Sequence, residues 1–517
     1  MKFVASDRAR RENAPWRILS YFTQGGIVMI QPTLEEARRL AEGNTVIPVS
    51  MEMFSDVKTS IQILKNIREK SDRYFILESV TGSENWGRYS FLGYRPTMTV
   101  HGRDGVTKVA HDGSVTETRE EPLEVIREIL SRYKSSRIHG LPPFTGGFVG
   151  YFSYDAIRYF EPSLKLQAKD EEGFRDFSLM LIDRVIAFDH FQQKIYLIVN
   201  VPVENLEDSY IHGVTVLKDM ERMVLEDLPA GARENSFHCG SFTAAFSKEK
   251  FCEMVEKTRA YIREGDVFQT VISNRFTAPF QGDLLEVYRT LRTINPSPYM
   301  VYLKDDDLAI ACASPETLIS LKEGKLSTYP LAGTCPRGAD EAEDEALIES
   351  LLQDEKELSE HDMLVDLGRN DLGKVSKFGS VTVSEYRQVK RFSNVSHIAS
   401  RVNGQLQEGK DALDAIGATL PAGTLSGAPK KRACEIIDEL EGIRRGVYGG
   451  AIGYIDFTGN MDMCIGIRMA VVKNSKIFVQ AGAGIVADSV AEKEYEETIN
   501  KSRAIIRALE YGKGEKI

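Results

Sequence analysis

The chain has 517 residues, with 76 Asp and Glu against 65 Lys and Arg, for a formal net charge of -11. An acidic balance argues against a nucleic-acid binder, and no apolar run approaches the ~18 residues of a membrane span. The six cysteines form no CxxC pair, which disfavours a zinc site or a disulfide scaffold and fits a reducing, cytoplasmic setting.

Residues 1–28 carry a basic, polar start without the apolar core of a signal peptide, and read as an upstream extension with Met29 as an alternative start. From Ile47 to Val201 strand-like and helix-like segments alternate. Tyr74–Glu78 and Leu179–Ile182 are short apolar strands, Ile61–Ile67 and Leu123–Tyr133 have helical spacing, and an aromatic strand begins at Gly146. The polar stretch Glu226–Ser247, with Pro229, Gly231 and Gly240, marks a boundary between regions 47–225 and 241–511.

The second region opens with a helix capped by Ser247, with Phe251, Met254, Val255, Thr258 and Ile262 on one face. Strands follow at Val267–Ile272, Tyr299–Leu303 and Leu308–Ala311, then a helix around Glu345–Glu360. Strands near Gly449–Ile455 and Cys464–Val472 and a final helix Ala491–Leu509 complete the chain. Antiparallel-looking strand pairs mixed with helices indicate an α+β fold.

Two glycine-rich stretches imitate nucleotide sites. Gly482–Ala487 matches G-x-G-x-x-A after a strand, but too little chain follows for a dinucleotide fold. Gly423–Lys430 lacks the Gly-Lys-Ser/Thr ending of a phosphate loop. Both still offer backbone N–H groups to an anion. Arg468 stands in an otherwise apolar strand and needs an anionic partner, because an unpaired buried charge is costly. Glu360 shares a helix face with Met363 and Leu364, and Glu494, Glu497 and Lys501 share another. On spacing alone these are ordinary surface pairs, yet one or two carboxylates with substrate oxygens are also how Mg²⁺ is commonly held.

The segments PLAGTCPRG (330–338), KELSEHDMLVDLGRNDLGK (356–374), PAGTLSGAPKKRACEII (421–437), YGGAIGY (448–454), CIGIRMAVV (464–472) and QAGAGIVADSVAEKEYEETINKSRA (480–504) together resemble the chorismate-utilising enzymes. Within them the match is to the large subunit of anthranilate synthase, and ILESVTGSENWGRYSFLG (76–93) with NPSPYM (295–300) is similar to its regulatory half. The resemblance implies two large antiparallel sheets packed orthogonally with helices outside, a four-layer α/β/β/α arrangement. It makes 47–225 the regulatory and 241–511 the catalytic region. It places Mg²⁺ on Glu360 and Glu497, and chorismate on Arg468, Tyr448, Gly333, Thr334 and the backbone of Gly482, Ala483 and Gly484. His397 corresponds to the family's catalytic histidine, Glu316 to its proton-transfer carboxylate, and Ser79, Pro298, Tyr299 and Met300 to its tryptophan-binding segments. A histidine in a helical-looking SHIAS context is otherwise more often structural. Cys335 departs from the pattern, which has arginine there.

The implied reaction adds ammonia at C2 of chorismate as the C4 hydroxyl leaves, then eliminates pyruvate to give anthranilate. The resemblance puts His397 on the leaving-hydroxyl side and Glu316 in the elimination, an assignment that the residues leave open. Ala332 stands where aminodeoxychorismate synthases carry a lysine nucleophile, so the amine must come from ammonia. None of the cysteines sits in a nucleophile elbow, so glutamine use needs a separate glutamine amidotransferase subunit, and the resemblance implies a heterotetramer of two large and two small subunits. A catalytically silent tryptophan sensor is the reading from another class.

Overall fold

A computed structural model describes residues 21–23, 26–79, 87–228, 236–391 and 395–512. Most of the 1–28 extension and part of the 76–93 motif therefore lie outside the described residues. Among those described, two large antiparallel sheets of 12 and 14 strands dominate, beside a small hairpin at Tyr21–Thr23 and Gly26–Val28. No helix among them is long and apolar enough to cross a membrane.

The larger sheet is buried on both faces, and its strands show why they read as continuous apolar runs. In Leu308–Ser314, Leu308, Ile310 and Cys312 enter the core shared with the other sheet. Ala309, Ala311 and Ala313 face a second core built with helices. The alternation is the two-residue period of a strand, with bulk on one side and small residues beneath helix Leu285–Ile294 on the other. Helices Ser60–Arg68, Leu206–Leu225, Leu285–Ile294 and Ala491–Gly512 also contribute apolar side chains to that second core. Helices Pro122–Ser131, Glu355–Gly373 and Ala412–Thr419 pack on the 12-stranded sheet, giving four layers.

Both sheets draw strands from either side of the sequence boundary. Gly147–Phe152 pairs with Ala451–Asp456 in one, and Arg73–Glu78 pairs with Tyr299–Asp305 in the other. The two regions thus share one framework.

Three expected elements differ in detail. The helix around 345–360 is two helices, Glu341–Gln353 and Glu355–Gly373, because Asp354 ends the first and caps the second by accepting from the N–H groups of Lys356 and Glu357. The helical-looking SHIAS lies in strand Val395–Gln405. The strand expected at 464–472 is two strands in different sheets. Met461–Ile465 belongs to the 12-stranded sheet and Met469–Lys473 to the 14-stranded one. The chain crosses between them at Gly466-Ile467-Arg468, where Arg468 takes φ of +49°.

Candidate active site

A second crossing runs alongside the first. Leu308–Ser314 is in the 14-stranded sheet, Thr317–Lys322 in the 12-stranded sheet, and Pro315-Glu316 joins them. The crossings are tied together by backbone bonds, Ile465 N–H to Glu316 O at 3.0 Å and Ala313 N–H to Arg468 O at 3.0 Å. Glu316 and Arg468, one on each crossing, are near enough for each to act on the other's charge, so they reach the same interior space. Gly449 and Gly450 bond the Arg468 crossing through Gly466, which brings Tyr448 to it as well.

Glu316 is 8% exposed. Burial pushes its carboxyl up to about 8, against the pull of the Thr424 hydroxyl, Arg468 and Lys501. Thr424 Oγ1 donates to Glu316 Oε1 at 3.2 Å. Glu316 therefore holds its proton at neutral pH. Burial pulls the Arg468 guanidinium down from its ordinary value, and the Glu316 carboxyl opposes this.

His397 lies opposite Thr334 across a register shift between Ala332 and Thr334. Gly333 sits at this shift with φ of +74°, a conformation that favours glycine. The bulge turns Gly333 O to within 3.2 Å of His397 Nδ1 and Thr334 Oγ1 to within 2.9 Å. A carbonyl only accepts, so the Gly333 contact favours the tautomer that carries its proton on Nδ1, with the Thr334 hydroxyl as a second acceptor and Nε2 left as the basic nitrogen. Burial holds this histidine below its usual range, with Arg468 acting in the same direction.

The strand Lys476–Ile485 carries Gly482, Ala483 and Gly484. Its pairing with Met469–Lys473 reaches only to Val479, whereas Gln269–Gly282 pairs along its whole length. Beyond Val479 one side of the strand is therefore open beside Arg468. A β-carbon on Gly482 would meet Tyr448 Oη at 3.0 Å, so tyrosine and glycine backbone form one wall.

Glu360 and Glu497 approach each other from helices Glu355–Gly373 and Ala491–Gly512. Burial, Glu357 and Glu497 all raise the Glu360 carboxyl above its usual value, while Lys356 and Lys501 lower it. Lys501 Nζ is 2.6 Å from Glu497 Oε1 and donates to Gly482 O at 3.1 Å. Among the described residues no three His, Cys, Asp or Glu side chains form a metal-holding group. The acidic pair fits a Mg²⁺ ion that takes its remaining ligands from water and substrate.

Of the expected inhibitor segments, Tyr299 pairs with Ser314, at the end of the strand that leads into the Glu316 crossing. Met300 pairs with Glu78 in the large sheet, with Ser79 next along the chain. Ser79 Oγ is buried with no partner among the described residues. Cys335 packs against Ile348, Leu351 and Ile398, as an apolar side chain.

Sequence reasoning missed Thr424 and the buried Arg445–Glu441 pair behind Tyr448. It noted Lys501 only as a helix-face neighbour of Glu497. Thr424 had a signal, since its glycine-rich turn was singled out as an anion cradle.

Residues 74–507 match the family model described as chorismate binding enzyme. The chain is 46% identical over 493 residues to anthranilate synthase component 1 of Acetivibrio thermocellus, covering 93% of this chain and 99% of that one. It is 40% identical over 457 residues to aminodeoxychorismate synthase component 1 of Bacillus subtilis, covering 88% and 95%. The crystal structure of anthranilate synthase component I from Streptococcus pneumoniae TIGR4 superposes with a TM-score of 0.73 at 39% identity, over 83% of this chain and 94% of that one.

Proposed function

The chain belongs to the chorismate-binding enzyme family, in the group of anthranilate synthase component 1, and from that premise we propose that it converts chorismate and ammonia to anthranilate and pyruvate. The observation that carries this reading is the convergence of Glu316, Arg468, Tyr448 and the open edge at 482–484 on two adjoining sheet crossings. Arg468, Tyr448 and that edge offer positive charge and donors to the carboxylates of chorismate.

The protonation states divide the proton work. Glu316, protonated at neutral pH, is the acid for the departing C4 hydroxyl. His397, neutral with Nδ1 held by Gly333, presents Nε2 as the base for the elimination of pyruvate. This reverses the division that the resemblance suggested. Glu360 and Glu497 would hold Mg²⁺, which would neutralise carboxylate charge on the bound substrate.

Similarity to an aminodeoxychorismate synthase leaves the product to be decided by the site. Ala332, half-buried beside Gly333, carries no nucleophile, so ammonia is the amine source. Among the described residues the cysteines are buried or, for Cys252, half-buried on a helix, and burial raises the Cys252 thiol. Glutamine use then requires a partner glutaminase subunit, in an assembly of two large and two small chains. Tryptophan, bound at Ser79 and Pro298–Met300, would inhibit the reaction.

The test is anthranilate fluorescence from chorismate, Mg²⁺ and ammonium with the purified chain, then with glutamine in place of ammonium. Ammonium should support the reaction and glutamine alone should not. A chorismate-derived amine other than anthranilate would refute the product, and glutamine-dependent turnover by the single chain would refute the partner.

A further inference from the structure

Helix Glu355–Gly373 packs on the strands Leu331–Pro336 and Val395–Gln405. His361, Leu364, Val365, Gly368 and Leu372 recur along it at the spacing of one helix face. A β-carbon on Gly368 would meet Thr328, Pro330 and Val402, so this face lies close on the sheet. The first member of the stripe, His361, is polar and fully buried.

His361 Nε2 lies 2.7 Å from Ser400 Oγ, in the strand that carries His397. Ser400 Oγ also accepts from the Arg387 N–H at 3.0 Å. Arg387 stands in the neighbouring strand Thr382–Arg391, at a register shift and with φ of +51°. Its Nε donates back to the helix, to Asp362 Oδ1 at 3.1 Å. One hydroxyl thus joins the helix of Glu360, the strand of His397 and the strand beside it.

Stability alone does not account for His361. Its Nδ1 is buried with no hydrogen-bond partner among the described residues, and a leucine would continue the stripe without burying a polar ring. An apolar stripe lacks direction. Apolar contact leaves a helix free to turn slightly about its axis, whereas a hydrogen bond holds over a narrow range of geometry. Successive helix residues point ~100° apart, so with His361 against the sheet Glu360 is turned aside, to where Glu497 acts on its charge. Side-chain tips lie ~5–6 Å from a helix axis, so a rotation of about 10° carries a carboxyl ~1 Å. Mg²⁺ demands near-ideal octahedral geometry and tolerates such a shift poorly.

We propose that His361 is a positioning residue: its bond to Ser400 sets the rotation of this helix on the strand of His397 and thereby aims Glu360 at Glu497. The inference rests on the reading of Glu360 and Glu497 as the Mg²⁺ pair.

The test is calorimetric titration of the purified chain with Mg²⁺. Wild type and Glu360→Gln come first. Equal affinities would overturn the metal reading and this inference with it, whereas dependence on Glu360 with none on His361 would overturn this inference alone. His361→Leu and Ser400→Ala each remove the bond from one side, and His361→Gln keeps a polar group where Nε2 lies. The Leu and Ala variants should bind Mg²⁺ about tenfold more weakly, the low end of what changes around a metal site produce, and the Gln variant within about threefold of wild type. The double variant His361→Leu/Ser400→Ala should be no weaker than His361→Leu, because both changes remove one contact. The thermal midpoint of His361→Leu should hold or rise, since an unpaired buried nitrogen is removed. A lowered midpoint with Mg²⁺ affinity unchanged would make His361 structural. Equal weakening in the Leu and Gln variants would assign the effect to ring packing and overturn the proposal. Should His361→Leu fail to fold, Ser400→Ala decides: wild-type Mg²⁺ affinity in that variant would overturn the proposal.

Discussion

Tyr299 Oη lies 2.9 Å from Thr317 Oγ1 and donates to Asp462 Oδ1 at 2.7 Å. Thr317 directly follows Glu316, so one side chain bridges the proposed inhibitor segment and the proposed acid. Asp462 belongs to Met461–Ile465, the strand that leads into the Arg468 crossing. A ligand that shifts Tyr299 would thereby press on both crossings at once.

Tyr299→Phe keeps the ring and removes these bonds. Tryptophan should still bind, by calorimetry, while its effect on the KM for chorismate shrinks by about fivefold or more, the lower end of typical coupling factors. By linkage, chorismate should lose the same factor in weakening tryptophan binding. Unchanged inhibition in a variant that still binds tryptophan would rule out this bridge. Ser79→Phe tests the pocket itself, since bulk at Ser79 should abolish tryptophan binding.

Glu316 gives a pH signature in stability. An unfolded glutamate ionises near 4.5, whereas the folded group keeps its proton to about 8. Below the lower value both states are protonated and its contribution is fully present. Between the two only the unfolded chain releases the proton, so stability declines as pH rises by about 1.4 kcal/mol per unit, until the folded pKa is passed. Glu316→Gln removes that decline, and denaturant titrations should show it gaining on wild type from pH 5 to pH 8. Its kcat should fall ~10²–10⁴-fold, the usual loss for a general acid. A parallel pH dependence of stability in the two proteins would show that Glu316 ionises normally.

What the sequence reveals of this site depends on how local each signal is. Helix Lys248–Glu264 was legible because its cap and its stripe, Phe251, Met254, Val255 and Thr258, lie within one short window. The 464–472 segment misled because apolar residues flank Arg468 on both sides and read as one strand, whereas the backbone at Arg468 marks a crossing between two sheets. His397 misled for a related reason, since a short run such as SHIAS fits a strand or a helix equally well. Pairing of Gly147–Phe152 with Ala451–Asp456 joins distant parts of the chain, and no local pattern encodes it. The site residues were named through family motifs; their own spacing gave only surface pairs for Glu360 and Glu497.

Glu360→Gln tests the metal reading. Burial, and then the neighbouring carboxylates of Glu357 and Glu497, disfavour a charge at Glu360, so neutralising it removes a desolvation cost and a repulsion, and the thermal midpoint should hold or rise. Mg²⁺-supported turnover should require ~100-fold more metal, a loss at least as large as outer-shell changes produce. Calorimetric titration with Mg²⁺ provides the independent readout. A variant with normal Mg²⁺ dependence would show that the pair is a solvated acidic surface.

Behind Tyr448, Arg445 and Glu441 form an ion pair with both side chains 1% exposed. Arg445 Nε donates to Glu441 Oε2 at 2.9 Å, and its other nitrogens donate to Leu425 O at 2.6 Å and Val271 O at 2.7 Å. Glu441 Oε1 accepts from Ser273 N–H at 2.8 Å, and the guanidinium lies 4.6 Å from the ring centre of Tyr154 and 5.8 Å from that of Tyr448. The pair thus fixes the Thr424 turn, the strand that carries Gln269, and the ring that adjoins Gly482. Burial lowers the guanidinium pKa, but Glu441 and the two tyrosines outweigh it and leave the value raised. Glu441→Gln should cost about 3–5 kcal/mol, the penalty for leaving one buried charge uncompensated. Arg445→Met should cost a similar amount. The double variant Glu441→Met/Arg445→Met should cost less than the sum, because it removes both charges together. Where the double variant folds, its KM for chorismate should still be raised, since Tyr448 and the Thr424 turn lose their common support. Additive losses in urea titrations of the three variants would mean that the two residues act independently, and the wall behind Tyr448 would have to be held by packing alone.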